Sequence, residues 1–301
     1  MLARCDRCGS RVAKYYRRAS GERLCELCLE SSLEKALRKY LRPWGALRPA
    51  SRVLVPISEP MILHSMVLAS LIVKAKRGFG SHVLVVFFDF MKEGVVEKLV
   101  ENLIGFIGGH GGWSVVRAEI SLSPSFQQLD FFDLLRVNRR LAVEASRRLG
   151  ARFALLPLTR TSLLLLLSEA IARRSCDNLL DLMQEYRVDG VTLINALYSI
   201  EEEAVVSYAY LSGILEAIET LGLHPPKYLH LSRAMAEALR GGPDLEFSSE
   251  SIHAELAGVC ISRYGYGKAC SYCGAPSRES VCETCSRASL AVNLEKVYER
   301  V

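Results

Sequence analysis

Eight of the ten cysteines fall into four Cys-x-x-Cys pairs, two pairs near each end of the chain. Cys5 and Cys8 precede Cys25 and Cys28, and Cys270 and Cys273 precede Cys282 and Cys285. Two such knuckles supply four thiolates, the full complement of a tetrahedral structural zinc site. The two-residue spacer lets both sulfurs of a knuckle turn towards one ion. Glycine follows the second cysteine of each leading knuckle (Gly9 and Gly274), where the tight turn favours positive φ. The 16 and 8 residues between knuckles are each enough for a short hairpin. The pattern predicts a zinc ribbon at each terminus and two zinc ions in all. Disulfides, which thermophile cytosols permit, and an iron–sulfur cluster are the other uses of such thiols. Cys176 and Cys260 stand alone and read as buried or incidental thiols.

A chain of 301 residues suits one large core with accessory modules. Half of it is apolar and 24% charged, which excludes disorder as its main state. The expected divisions are a zinc ribbon (1–32), a basic linker helix (33–50), an α/β domain (51–262) and a C-terminal ribbon with a helix after it (263–301). From Arg52 onward, apolar strands alternate with helical segments: RVLVPI, HVLVVFFDF, WSVVRAEISL, RFALLPLT and GVTLINAL are the strands. That alternation argues for a parallel sheet covered on both faces, with ligands at the carboxyl ends of its strands. The first strand-to-helix turn, VPISEPMI, is the usual phosphate position. The run Leu163 to Leu167 is apolar all round and reads as core, with a subunit interface as the alternative. The most apolar stretch, FALLPLTRTSLLLLLSEAIA, is interrupted by Pro157 and Arg160 before reaching the roughly 18 residues of a membrane span. MLARCDRCGSR has no apolar signal core. A cytoplasmic protein without a membrane partner is expected.

The net charge of +5 is unevenly spread. Residues 1–52 carry 13 Lys and Arg against five acids, so everything after them is slightly acidic. A basic module on a near-neutral body suggests a polyanion partner, nucleic acid being the commonest. Candidate RNA contacts are Arg17, Arg18, Lys35, Arg38, Lys39 and Arg42, with Arg136, Arg139 and Arg140 opening the helix after the third strand. They would grip phosphates without reading sequence; solvated basic faces are the alternative. Five Asn and three Gln among 301 residues fit a thermophilic source. The six histidines show no ligand or triad spacing. GGHGG, residues 108–112, precedes a strand and reads as a helix-to-strand turn. Glu201 to Glu203 follow Ser199, a good N-cap, and read as dipole-favoured acids opening a helix.

The order of parts (ribbon, basic helix, α/β body, ribbon) resembles the PP-loop ATPase family of tRNA 2-thiolation proteins, the kind with a ribbon at both ends. CSYCGAPSRESVCETC is similar to the family's terminal ribbon, and CDRCGSRVAKYYRRASGERLCELCLESSLEKALRKYLRP to its first ribbon and basic helix. LHLSRAMAEALRGGPDLEFSSESI and SIEEEAVVSYAYLSG resemble later helical segments. The resemblance implies a PP-loop ATPase-like (HUP/Rossmann-like) core, tRNA as partner, and a site at the first turn.

Three departures accompany it. The family's Ser-Gly-Gly-x-Asp-Ser loop holds the pyrophosphate of ATP on backbone N–H groups. Here Ser58, Glu59 and Pro60 occupy that turn, Pro56 and Pro60 donate no N–H, and Glu59 repels phosphate. At the paired central cysteines, Phe132 and Leu135 stand in FDLLRVNRR, and HPPKYLH lacks the later cysteine. The Gly-His-Asn-x-Asp-Asp segment reads Pro157 to Ser162. The resemblance therefore implies a degenerate member, like the non-catalytic subunit of the cytosolic thiolation complex. ATP and an iron–sulfur cluster are not expected, and a catalytic paralogue or a second copy of this chain is the expected mate. An active tRNA sulfurtransferase with atypical residues and a zinc-ribbon interaction protein without an RNA role are the alternatives.

Overall fold

The computed structural model describes residues 3–58, 61–77, 79–89, 94–107, 109–122, 130–223, 243–287 and 290–300. Glu59 and Pro60, the HPPKYLH stretch, Gly108, and the start of the segment LHLSRAMAEALRGGPDLEFSSESI lie outside the described residues.

A small antiparallel hairpin, β1 (Tyr15–Arg17) and β2 (Glu22–Leu24), carries the first cysteine group and runs into α1 (Glu26–Leu41). The basic helix thus begins inside the ribbon rather than at residue 33. The body follows as β3 (Arg52–Ile57), α2 (Ile62–Ala75), β4 (His82–Asp89), α3 (Val95–Ile107), β5 (Trp113–Leu122), α4 (Phe131–Leu149), β6 (Phe153–Leu156) and α5 (Arg160–Ala172). After these come α6 (Cys176–Leu180), β7 (Glu185–Val188), β8 (Val191–Asn195), α7 (Glu202–Leu211), α8 (Ile214–Thr220) and α9 (Pro243–Tyr264). The C-terminal ribbon comprises β9 (Lys268–Ala269), β10 (Pro276–Ser277) and α10 (Glu283–Arg287), and the chain continues as β11 (Leu290–Arg300).

Seven strands form the main sheet in the order β11-β5-β4-β3-β6-β8-β7. The five inner strands are parallel, as the alternation predicts, and both edges are antiparallel. The helix expected after the C-terminal ribbon is instead β11, paired from Leu290↔Leu122 to Arg300↔Trp113. Leu290, Val292 and Leu294 alternate with other residues, a strand period that closes an otherwise open edge. The second edge is a hairpin turned by Asp189 and Gly190, both at positive φ (49° and 78°). This Asp-Gly pair is the usual signature of a two-residue hairpin turn. Gly213, whose φ is 79°, separates α7 from α8.

Alternation along the strands builds a core on each face. Val53, Val55 and Ile57 face α1, α2, α3 and α7, while Leu54, Val86 and Phe88 face α4 and the C-terminal ribbon. Helix α2 is buried on every side except at Lys74, which reaches out to Glu30 at 2.7 Å. A third cluster joins Phe132, the Leu163–Leu167 run, α6 and α9, so the leucine run is core. Cys176 and Cys260, read as lone thiols, form a disulfide between α6 and α9. Their separation of 84 residues hides this pairing from any local pattern.

Candidate metal centres and the crevice at the sheet edge

Each cysteine quartet is assembled. The four sulfurs of Cys5, Cys8, Cys25 and Cys28 lie within 4.8 Å of one another, as do those of Cys270, Cys273, Cys282 and Cys285. Four sulfurs at about 2.3 Å from one zinc stand roughly 3.8 Å apart. The Cys8–Cys25 and Cys273–Cys282 sulfurs are each separated by 3.9 Å. Gly9 and Gly274 take positive φ, 65° and 73°, as the knuckle turns predict. Cys25 occupies the N-cap of α1 and Cys28 its first turn. Both groups fit a ribbon metal.

The two quartets differ in setting. Cys8 is exposed and Cys28 half-buried, whereas all four C-terminal cysteines are buried. The C-terminal ribbon sits against β7, where a Cβ added to Gly274 would lie 3.2 Å from Tyr186. Helix α4 clasps it from the side. Arg136 donates to the Thr284 hydroxyl at 3.2 Å, Arg140 to the Cys285 carbonyl at 2.9 Å, and the Arg140 guanidinium lies over the Tyr272 ring.

These contacts correct the reading of α4 as an RNA grip. Arg136 and Arg139 are only 7% and 2% exposed, and both are ion-paired to the fully buried Asp181 carboxylate. Burial works against both guanidinium charges. For Arg136 the nearby Asp181 carboxylate more than restores it, and for Arg139 the Tyr186 and Asp181 groups do. Such groups cannot meet phosphates at the surface. Arg140 is spent on the ribbon. Among the N-terminal candidates, Arg17 is bonded to Glu22 at 2.8 Å and Ser32 at 2.8 Å, and Arg18 pairs with Glu203 at 3.4 Å. Arg38 bonds Glu34 and the Ala75 carbonyl, both at 3.2 Å. Lys35 and Lys39 on α1, and Arg42 just past its end, are exposed.

The turn with Ser58 ends at the crevice over the carboxyl ends of β3, β6 and β8. The described lining includes Pro56, Ser58, Leu135, Arg139, Pro157 and Asp181, around a cavity of about 30 Å³. That holds a water molecule, whereas small-molecule sites run to roughly 300–1,000 Å³. Next in the chain to the lining residues Ser65 and Leu158, His64 and Thr159 belong to a network unforeseen in the sequence. His64 Nε2 lies 2.5 Å from a Glu202 oxygen; the Thr159 and Ser162 hydroxyls donate to the other at 2.7 and 3.3 Å. Burial alone would raise the Glu202 carboxyl, but His64 and the two hydroxyls overcome it and hold the group below its usual range. The Thr161 hydroxyl accepts the Glu202 N–H at 3.1 Å. Glu201, without a side-chain cap bond, stands at the N-cap of α7, so Ser199 does not cap this helix. The acidic opening of α7 is thus tied to His64 and Thr159, the chain neighbours of the lining residues Ser65 and Leu158. The only sequence signal for it is Glu202 facing a Thr-x-x-Ser segment 40 residues upstream.

No family model matches the chain, and no curated protein does. A solved structure does: the U34-tRNA thiolase NcsA from Methanococcus maripaludis with its 4Fe–4S cluster. It is 18% identical, with a TM-score of 0.66 over 95% of this chain and 96% of the other. The likeness is one of fold. It matches the expected PP-loop ATPase-like architecture, with the two four-cysteine groups at the ends. It also corrects the cofactor expectation. The sequence reading does not expect an iron–sulfur cluster, yet this neighbour carries one, and either cysteine quartet here could take iron–sulfur or zinc.

Proposed function

We propose that this protein takes part in tRNA uridine 2-thiolation as a tRNA-holding partner that does not itself carry out sulfur transfer. One observation carries the reading. The chain shares its fold with a tRNA thiolase over 95% of its length, while its own residues occupy the crevice at the strand ends. Ser58 to Pro60 replace the phosphate-cradling loop in sequence, and the His64–Glu202–Thr159 network takes the place of the later acidic motif. The tRNA backbone would meet the exposed face of α1, with Lys35, Lys39 and Arg42 and the nearby Arg18 as contacts. A catalytic PP-loop paralogue, or a second copy of this chain, would supply the chemistry. Among the described residues no helix is long and apolar enough to cross a membrane.

Affinity purification from the native cell tests this. The expected yield is tRNA together with a paralogue whose glycine loop is intact, bound with an affinity that falls steeply with salt. Purification free of both tRNA and paralogue at low salt overturns it. The second reading, an active sulfurtransferase with atypical residues, is favoured by the neighbour's cluster and by cysteine quartets able to hold one.

A further inference from the structure

At the opposite end of the sheet lies a cavity of about 350 Å³ whose lining, among the described residues, holds no acid. It opens where β4 and β5 begin, beside the turn Gly109 to Gly112. Lys76, at the end of α2, is 7% exposed and directs its ammonium to the carbonyls of Ser81, at 3.0 Å, and Gly112. No carboxylate pairs with it among the described residues. Gly112 has φ 71°, and a Cβ there would collide with the Lys76 nitrogen, so the glycine is what admits the lysine. Ser81 is 3% exposed, and its hydroxyl has no hydrogen-bond partner among the described residues. Arg77 lies against His110, 3.0 Å from Nε2, and His82, whose Nε2 lies 3.0 Å from the Ser114 hydroxyl, completes the rim.

A buried ammonium without a counter-ion and a buried hydroxyl without a partner both carry desolvation costs that an anion would relieve. Burial accordingly pulls the Lys76 ammonium below the usual lysine range. The lining brings together an ammonium, a hydroxyl and a guanidinium, a set of donors suited to a tetrahedral oxyanion, with the two imidazoles beside them. A second groove, of about 590 Å³, has Phe79 in its lining, next in the chain to Gly80 of the first. It is lined by Arg38, Lys39, Arg42 and Arg48, and Phe79 is 41% exposed.

We propose that Lys76, Arg77, Ser81, His82 and His110 form a phosphate-binding site at the amino end of the sheet, remote from the crevice at its carboxyl end. The phosphoryl group comes either from an RNA strand lying in the second groove or from a free phosphate ester. The site stands independently of the thiolation reading.

The test is calorimetric titration of the full chain with inorganic phosphate at constant ionic strength. Saturable binding is expected, weakened at least tenfold by Arg77→Ala combined with His110→Ala, both outside the core. Ser81→Ala gives a second readout, because it removes a buried unpartnered hydroxyl. It is expected to leave the phosphate-free protein as stable as before or more so, while weakening phosphate binding several-fold. Absence of saturable binding, or equal affinity in both variants and the parent, overturns the site. Labelled tRNA then separates the sources. If the double variant lowers the slope of log affinity against log salt by about one, the phosphate belongs to RNA. Unchanged tRNA binding with phosphate binding lost assigns the site to a free phosphate ester.

Discussion

The two cysteine quartets have the same ligands and the same knuckles, but one is open to solvent on one side, at Cys8, and the other is buried throughout. The N-terminal group hangs on a three-residue-strand hairpin, braced by exposed pairs such as Arg23–Asp6 at 2.9 Å, with Cys8 open to solvent. The C-terminal group is buried between β7 and α4, and Arg136, which bonds its Thr284, is itself held by Asp181 together with Arg139. Identical spacing therefore says that a metal can be held, and the surroundings decide what depends on it. Losing the first metal would loosen a hairpin and the start of α1. Losing the second would unseat part of the packing over one sheet face.

The largest expected break in this contrast is Asp181→Asn. It leaves Arg136 and Arg139 buried without their carboxylate, a loss of about 3–5 kcal/mol by the usual cost of halving a buried ion pair. Denaturant unfolding measures it, and native mass spectrometry is expected to show metal lost from the C-terminal group while the N-terminal one stays loaded. Next is the disulfide that ties α9 to α6, close to Asp181. Replacing Cys176 and Cys260 with serine is expected to cost about 2–4 kcal/mol, read in the same unfolding experiment. A smaller effect depends on pH. Burial holds the His253 imidazole, which lies against the Leu179 carbonyl and Tyr198 hydroxyl, below the ordinary histidine range. The unfolded chain therefore takes up that proton first as pH falls past about 6.5. The stability it contributes is complete above that value and is lost as pH drops through the folded one. His253→Gln is expected to flatten this part of the stability profile. Smallest is Arg18→Ala at the N-terminal module, whose partner Glu203 is half exposed. The cost is expected to stay within about 1 kcal/mol, and a larger one would mean the first ribbon is as integral as the second.

What could be read in advance follows the range of each interaction. Both quartets, the five parallel strands and the altered first turn rest on local spacing and period. The role of Arg139 does not, because its partner Asp181 lies 42 residues on, in a short segment without a pattern of its own. Its helix reads as basic in sequence because a guanidinium in an ion pair and one awaiting phosphate are the same letter. The Cys176–Cys260 bond and the His64–Glu202 contact, 84 and 138 residues apart, are hidden for the same reason. β11 and the Asp189–Gly190 hairpin carry legible signals, a two-residue period and an Asp-Gly turn. Both are masked by the expectation of a wholly parallel sheet.

The central claim is that this chain holds tRNA without thiolating it. The direct measurement incubates the metal-loaded protein with tRNA, ATP and a sulfur donor, then analyses the nucleosides by mass spectrometry. The account predicts tRNA bound and recovered without 2-thiouridine. Stoichiometric or catalytic formation of 2-thiouridine by the isolated chain would contradict it.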